Sequence, residues 1–207
     1  MTTKTPAEAQ PPRDTVLVDL GLQGGGAHGA FTWGVLDRLL EVPWLRFYGT
    51  SGTSAGAMNA VVMADGYAAG GPEGARVALE KFWKHVSDGA LLSPLRRGPL
   101  EILTGMWTLD YSPMYLAMDL TSRVFSPYDL GAVGSVNPLR AILEENIDFA
   151  RVASAPIRLF VTATNVRTGR GRVFRNADLT PDVLLASACL PTMFKAVEID
   201  GEAYWDG

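Results

Sequence analysis

The segment Gly52-Thr53-Ser54-Ala55-Gly56 sets one serine between two glycines. It follows a short run, Arg46 to Thr50, that reads as a strand, and it precedes Ala55 to Ala64, which reads as a helix closed by Gly66. A serine on so sharp a strand-to-helix turn has its hydroxyl pushed out at the carboxyl end of a sheet, where it can act as a nucleophile. The flanking glycines tolerate the strained backbone and let the helix pack closely. The positive end of that helix faces any oxyanion formed at the serine. The competing role for Ser54 is a plain helix cap. Ser51, framed by Gly49-Thr50-Ser51-Gly52-Thr53, lacks the second glycine and is the weaker nucleophile.

A second cluster, Gly24-Gly25-Gly26-Ala27-His28-Gly29, fits the spacing G-x-G-x-x-G after an apolar run. As a dinucleotide site it would need an acidic residue about 20 positions on, at the end of the next strand. Position 44 is tryptophan, and no acidic residue follows until Asp65. A phosphate-loop lysine is also absent from the cluster. Three successive glycines at a helix start suit an oxyanion hole instead: the N–H groups of Gly24, Gly25 and Gly26 are free to converge on one anion.

A serine nucleophile needs a proton acceptor. The chain has two histidines, His28 and His85. His28 is tied to the glycine loop and reads as an orienting or substrate-binding residue. His85, between Lys84 and Val86, reads as a surface residue of a helix. The search therefore turns to carboxylates. Asp206 follows Tyr204 and Trp205 and precedes Gly207, and apolar neighbours would raise its pKa into the range of a general base. Asp200 and Asp182 are the alternatives, read respectively as a hairpin turn and as the first turn of a helix. Cys189 is the single cysteine; between small and apolar neighbours it reads as a buried, inert thiol. No metal-ligand spacing and no cofactor is indicated.

The elements that would position these groups alternate. Thr15 to Leu22 reads as a strand, and Ala27 to Glu41 as a helix with Phe31, Val35, Leu36, Leu39 and Leu40 on its apolar face, ended by Pro43. Then come the second strand, the turn Ser51 to Ser54 and the second helix. This order implies a mainly parallel sheet covered by helices, an α/β fold. Glu73 to Val86 reads as an amphipathic helix and Pro138 to Asn146 as another. Ile157 to Thr164 and Arg172 to Arg175 read as strands around a turn at Gly169, and Pro181 to Cys189 as a helix. Lys195 to Tyr204 reads as two short strands around Gly201. The stretch from Leu91 to Val136, rich in Met and aromatic residues, reads as short helices and loops. Its part from Met106 to Tyr128 suits the wall or cover of an acyl-chain pocket.

The chain has 207 residues, 47% of them apolar, and a net charge of −4. That is enough apolar material for a core, and the charge gives nucleic acid no basic field to bind. Residues 1–14 are polar and read as a flexible tail without the apolar core of a signal peptide; residues 15–207 read as one domain. No apolar run reaches the ~20 residues of a membrane span. The expectation is a cytoplasmic chain that meets lipid only peripherally, at a membrane or lipid surface.

Taken in order, GGGAHG (Gly24 to Gly29), GTSAG (Gly52 to Gly56) and the pair Asp206-Gly207 resemble the patatin-like phospholipases. VTATNVRTGR (Val161 to Arg170) and ASACLPTMF (Ala186 to Phe194) are similar to connecting segments of that family. The resemblance implies a three-layer α/β/α sandwich and a Ser-Asp dyad that works without histidine, metal or cofactor. It implies Ser54 as nucleophile, Asp206 as proton acceptor and the amides of Gly24, Gly25 and Gly26 as oxyanion hole. His28, Gly29, Gly52, Gly56 and Gly207 fall on supporting motif positions; many members carry Arg or Lys where His28 stands. The substrate class implied is a lipid or other acyl ester. Family members continue past the Asp-Gly pair, so the resemblance also implies that the C-terminal part of the fold is missing here. Two other functions stand beside the hydrolase: a catalytically inactive module of the same fold that binds lipid or a partner, and a nucleotide-binding protein that uses the glycine loop.

Overall fold

Buried and exposed side chains alternate along the strands and define one core-facing side of a sheet. In Arg158–Asn165 the side chains of Leu159, Val161, Ala163 and Asn165 are buried, while Arg158 is exposed and Phe160, Thr162 and Thr164 are half-buried. This is the two-residue period of a strand with one face on a core. The computed structural model describes residues 13–90, 127–129 and 137–207. The strands are β1 (Val16–Leu22), β2 (Leu45–Gly52), β3 (Arg158–Asn165), β4 (Gly171–Arg175), β5 (Val197–Ile199) and β6 (Glu202–Trp205). The helices are α1 (Gly29–Leu40), α2 (Ala55–Ala90), α3 (Leu139–Asn146), α4 (Phe149–Ala153) and α5 (Pro181–Ser187). The tail reading falls on residues that, apart from 13 and 14, lie outside this set, as does nearly all of the stretch 91–136.

The sheet is mixed. β1, β2 and β3 are parallel neighbours, as the strand-helix alternation predicts, and β4, β5 and β6 join antiparallel. Phe160 and Val161 pair with both β2 and β4, so those two strands lie on opposite edges of β3. Thr164 pairs with both Gly171 of β4 and Trp205 of β6. β2 and β6 therefore share one edge of β3. β2 occupies it up to Val161 opposite Gly52, and β6 takes it up again at Thr164. The chain that leaves β2 and the chain that leaves β6 thus meet at the gap between them.

Helices α1, α3, α4 and α5 all pack on α2; α2 itself packs on β1, β2 and β3, and its Ala57, Val61, Val62 and Met63 belong to the buried core. The result is a mixed sheet flanked by helices. α1 starts later than its sequence suggests, after a single 3-10 turn at Gly26–His28. Its apolar stripe is wider than the core it meets: Leu36 and Leu40 are buried, whereas Phe31 and Val35 are exposed. The helix α5 stops at Ser187, two residues before the predicted end.

The reading of Gly66 as a helix end is wrong. α2 runs on through it, and the non-helical residues are Gly70 and Gly71, just before Pro72. Gly66 is needed for contact and not for termination: a Cβ there would lie 2.4 Å from the Gly74 carbonyl oxygen, so the two limbs of α2 cross almost backbone to backbone. In an open helix, Gly→Ala stabilises by up to about 1 kcal/mol. Here Gly66→Ala is expected to destabilise by about 1–3 kcal/mol through overpacking. Urea unfolding read by circular dichroism gives the sign directly.

Candidate active site

The turn after β2 is built from close backbone contacts. A Cβ on Gly56 would sit 2.2 Å from the Leu22 carbonyl oxygen at the end of β1, and one on Gly52 would sit 2.5 Å from the Gly56 carbonyl. Only glycine fits either place. Between them Ser54 is held at φ 55°, in the left-handed region, a strain of about 1–3 kcal/mol that surrounding contacts must offset. The Gly56 N–H donates to the Thr53 carbonyl and the Met58 N–H to the Ser54 carbonyl, so α2 begins directly at this serine.

The glycine loop lies on that turn. A Cβ on Gly24 would be 3.0 Å from the Ser54 Cβ. Gly25 and Gly26 have φ of 135° and 56°, which an L side chain disfavours. The Gly25 carbonyl accepts the His28 N–H at 3.1 Å and lies the same distance from His28 Nδ1, which folds the loop back on itself. His28 is exposed; its visible role is to order the loop. Among the described residues, the N–H groups of Gly24, Gly25 and Gly26 take no part in the backbone hydrogen bonds of the loops. The loop is pinned below by a buried pair: Asn59 donates to the Gly29 carbonyl at 2.9 Å and accepts the Trp83 indole N–H at 2.8 Å.

Asp206 arrives from the other side. β6 brings it to the gap beyond Gly52, and its N–H donates to the Cys189 carbonyl at 2.9 Å. Its carboxylate faces the Ser54 side chain and accepts the Gly207 N–H at 2.9 Å. Burial pushes the Asp206 carboxyl above its ordinary value, and the nearby Ser54 hydroxyl and the Gly207 N–H offset part of the rise. Gly207 is fixed by crowding: a Cβ there would be 2.5 Å from Thr164 Oγ1.

Serine turn, glycine loop and Asp-Gly pair thus come together in one place. Over residues 20–207 the chain matches the family model described as patatin-like phospholipase. The chain belongs to the patatin-like phospholipase family. Among solved structures it is similar to VipD from Legionella pneumophila, at 18% sequence identity and a TM-score of 0.49. The match covers 95% of this chain and 46% of that one, so the chain spans about half the length of VipD. No curated protein matches it in sequence comparison.

Other residues of this patatin-like chain have structural partners. Asp65 is buried and bound by Arg151 through two hydrogen bonds of 2.7 and 2.9 Å, so it is no ribose ligand at a strand end. His85 is half-buried and lies 2.9 Å from the Asn146 side-chain nitrogen, joining α2 to α3. Ser51 is exposed within β2, 3.5 Å from the Leu20 carbonyl. Asp200, at φ 54°, and Gly201 form the hairpin turn, with Asp200 on Arg172; Asp182 binds Arg140 from the first turn of α5. Cys189 is buried, and burial together with the nearby Asp206 pushes its thiol up to about 11, which keeps it protonated and unreactive. The predicted acyl-pocket stretch lies outside the described residues except for Pro127 and Tyr128; the Tyr128 hydroxyl accepts the Ala196 N–H at 3.3 Å. Among the described residues no group of three or more His, Cys, Asp or Glu is placed to hold a metal, and no helix is long and apolar enough to cross a membrane.

Three supporting residues escaped the sequence reading. Asn59 and Trp83 lock the glycine loop as described. Asn165 accepts the Arg167 and Thr168 N–H groups and donates to Glu202, which fastens β6 to the end of β3. Nothing in the local sequence distinguishes a buried Asn inside a helix or at a strand end; only its partners do.

Because the folded state holds the Asp206 proton more tightly than the unfolded chain, ionisation of this group works against folding. The penalty is absent below the unfolded pKa and complete above the folded one. Asp206→Asn is therefore expected to melt at a higher temperature than the natural chain near pH 8 and at the same temperature near pH 3. Thermal melts across that range would show no convergence at low pH if the site were not desolvated.

Proposed function

We propose that the chain is a lipid acyl hydrolase that cleaves carboxylic esters through an acyl-serine intermediate. The observation that carries this is the juxtaposition of the Ser54 side chain, on a left-handed turn at a helix start, with the half-buried Asp206 carboxylate. Membership of the patatin-like phospholipase family supports a lipid ester as substrate. The raised pKa makes Asp206 a stronger base than an ordinary carboxylate.

In the proposed reaction, Asp206 takes the Ser54 proton as Oγ attacks the ester carbonyl carbon. The carbonyl oxygen becomes an oxyanion facing the amides of Gly24, Gly25 and Gly26, beside the positive end of α2. The tetrahedral adduct collapses, the C–O bond to the alcohol breaks, and Asp206 returns its proton to the departing alkoxide. Water then attacks the acyl-serine, gives a proton to Asp206 and releases the fatty acid; the proton returns to Ser54. His28 orders the loop and takes no proton. The chain meets its substrate at a lipid or membrane surface and works in the cytoplasm.

A fluorophosphonate probe is expected to label Ser54 in the natural chain and to leave Ser54→Ala unlabelled, with the adduct located by peptide mass spectrometry. Ser54→Ala should lower kcat/KM for an ester by at least about 10³-fold, and Asp206→Asn by about 10²–10⁴-fold. The acid limb of the natural profile should lie above the ordinary aspartate pKa of about 3.9. A folded chain that takes no probe and returns bound lipid unhydrolysed would favour an inactive binding module.

A further inference from the structure

The last residue of α5, Ser187, has no exposed surface, and its hydroxyl is used away from its own helix. A serine inside a helix ordinarily returns its proton to a carbonyl one turn back. Ser187 instead donates to the Thr162 carbonyl of β3 at 2.7 Å and accepts the Ser54 N–H at 3.0 Å. It is a single-atom bridge from the middle of the sheet to the strained turn. Two residues later, after Ala188 leaves helical geometry at φ −114° and ψ 13°, the Cys189 carbonyl accepts the Asp206 N–H. One three-residue turn therefore holds the backbones of both Ser54 and Asp206.

Resting on the dyad reading above, we propose that Ser187–Cys189 is the positioning element that sets the separation of Ser54 from Asp206, with the Ser187 hydroxyl as its side-chain component. Removing that hydroxyl orphans two groups at once, the Ser54 N–H and one lone pair of Thr162. Ser54 itself then loses its link to β3 and relaxes from φ 55° toward ordinary backbone, which carries Oγ away from the carboxylate. The Gly24 contact lies on the same Cβ, so the nucleophile also shifts against the loop amides. Ser187 touches neither substrate nor reacting atoms; it acts through Ser54.

The test compares the natural chain with Ser187→Ala, Ser187→Cys and a core control, Val152→Ala, well below each melting temperature. Readouts are kcat and KM on p-nitrophenyl butyrate, the rate of fluorophosphonate labelling at Ser54, and the pH profile. Ser187→Ala is expected to lower kcat and the labelling rate by about 10–100-fold, the scale of a displacement near 1 Å, with KM within about twofold. Its acid limb should move to higher pH, because Asp206 loses the neighbouring Ser54 hydroxyl that holds its pKa down. Val152→Ala should keep the rates and the limb even with an equal loss in Tm. Ser187→Cys fills the volume with a weak donor and acceptor and should behave like Ser187→Ala, which also serves if the alanine variant does not fold. Wild-type rates in Ser187→Cys, or losses in Ser187→Ala that only follow the folded fraction, would assign Ser187 to packing and overturn the proposal. An unlabelled natural chain would instead overturn the dyad, and this proposal with it.

Discussion

The reversal of the chain between β2 and α2 takes place within two residues, against the end of β1, and leaves space for no side chain at Gly52 or Gly56. Ser54 absorbs that geometry by adopting a conformation that serine does not favour. Such a conformation persists only where neighbours over-determine it. Here they do so from several directions: Leu22 from β1, Gly24 from the loop, Ser187 from α5, and the first turn of α2 from below. The glycine loop, the N-terminus of α1 and the buried Asn59–Trp83 pair are arranged around this turn.

Desolvation acts on two neighbouring groups with opposite chemical results. It raises both the Cys189 thiol and the Asp206 carboxyl. For the thiol, a higher pKa means a protonated, inert sulfur. For the carboxyl, it means a stronger base than an ordinary carboxylate. The same environment quiets the one cysteine and suits the aspartate to accept a proton. Asp206 is only half-buried, and the nearby Ser54 hydroxyl and the Gly207 N–H both oppose the rise.

The parts legible in the sequence were those written in local chemistry. Glycine spacing marked both the serine turn and the loop, the run Ile157 to Thr164 marked β3, and the Asp200-Gly201 pair marked the final hairpin, where both residues take positive φ. Gly66 misled because a glycine inside a helix and a glycine that ends one look alike in sequence; the carbonyl of Gly74, eight residues on, distinguishes them. Phe31 and Val35 followed the helical period of Leu36 and Leu40 yet lie outside the core, since the period gives a face but not the width of what covers it. The mixed character of the sheet was also hidden, because short strands late in the chain carry no mark of their direction. Asn59, Asn165 and Ser187 were illegible because each is defined by partners from other elements.

β2 and β6 share one edge of β3, and this gives the site an order of assembly. The turn at Ser54 is made from neighbouring residues, but the acceptor of its N–H comes from 133 residues later in the chain, and Asp206 later still. Closing a loop of that length carries an entropic cost before any contact offsets it. Under the proposed dyad, Ser54 has no proton acceptor until the C-terminal hairpin has docked on β3. A chain whose hairpin has not docked, or has peeled away, then holds the strained serine alone and stays inert toward esters.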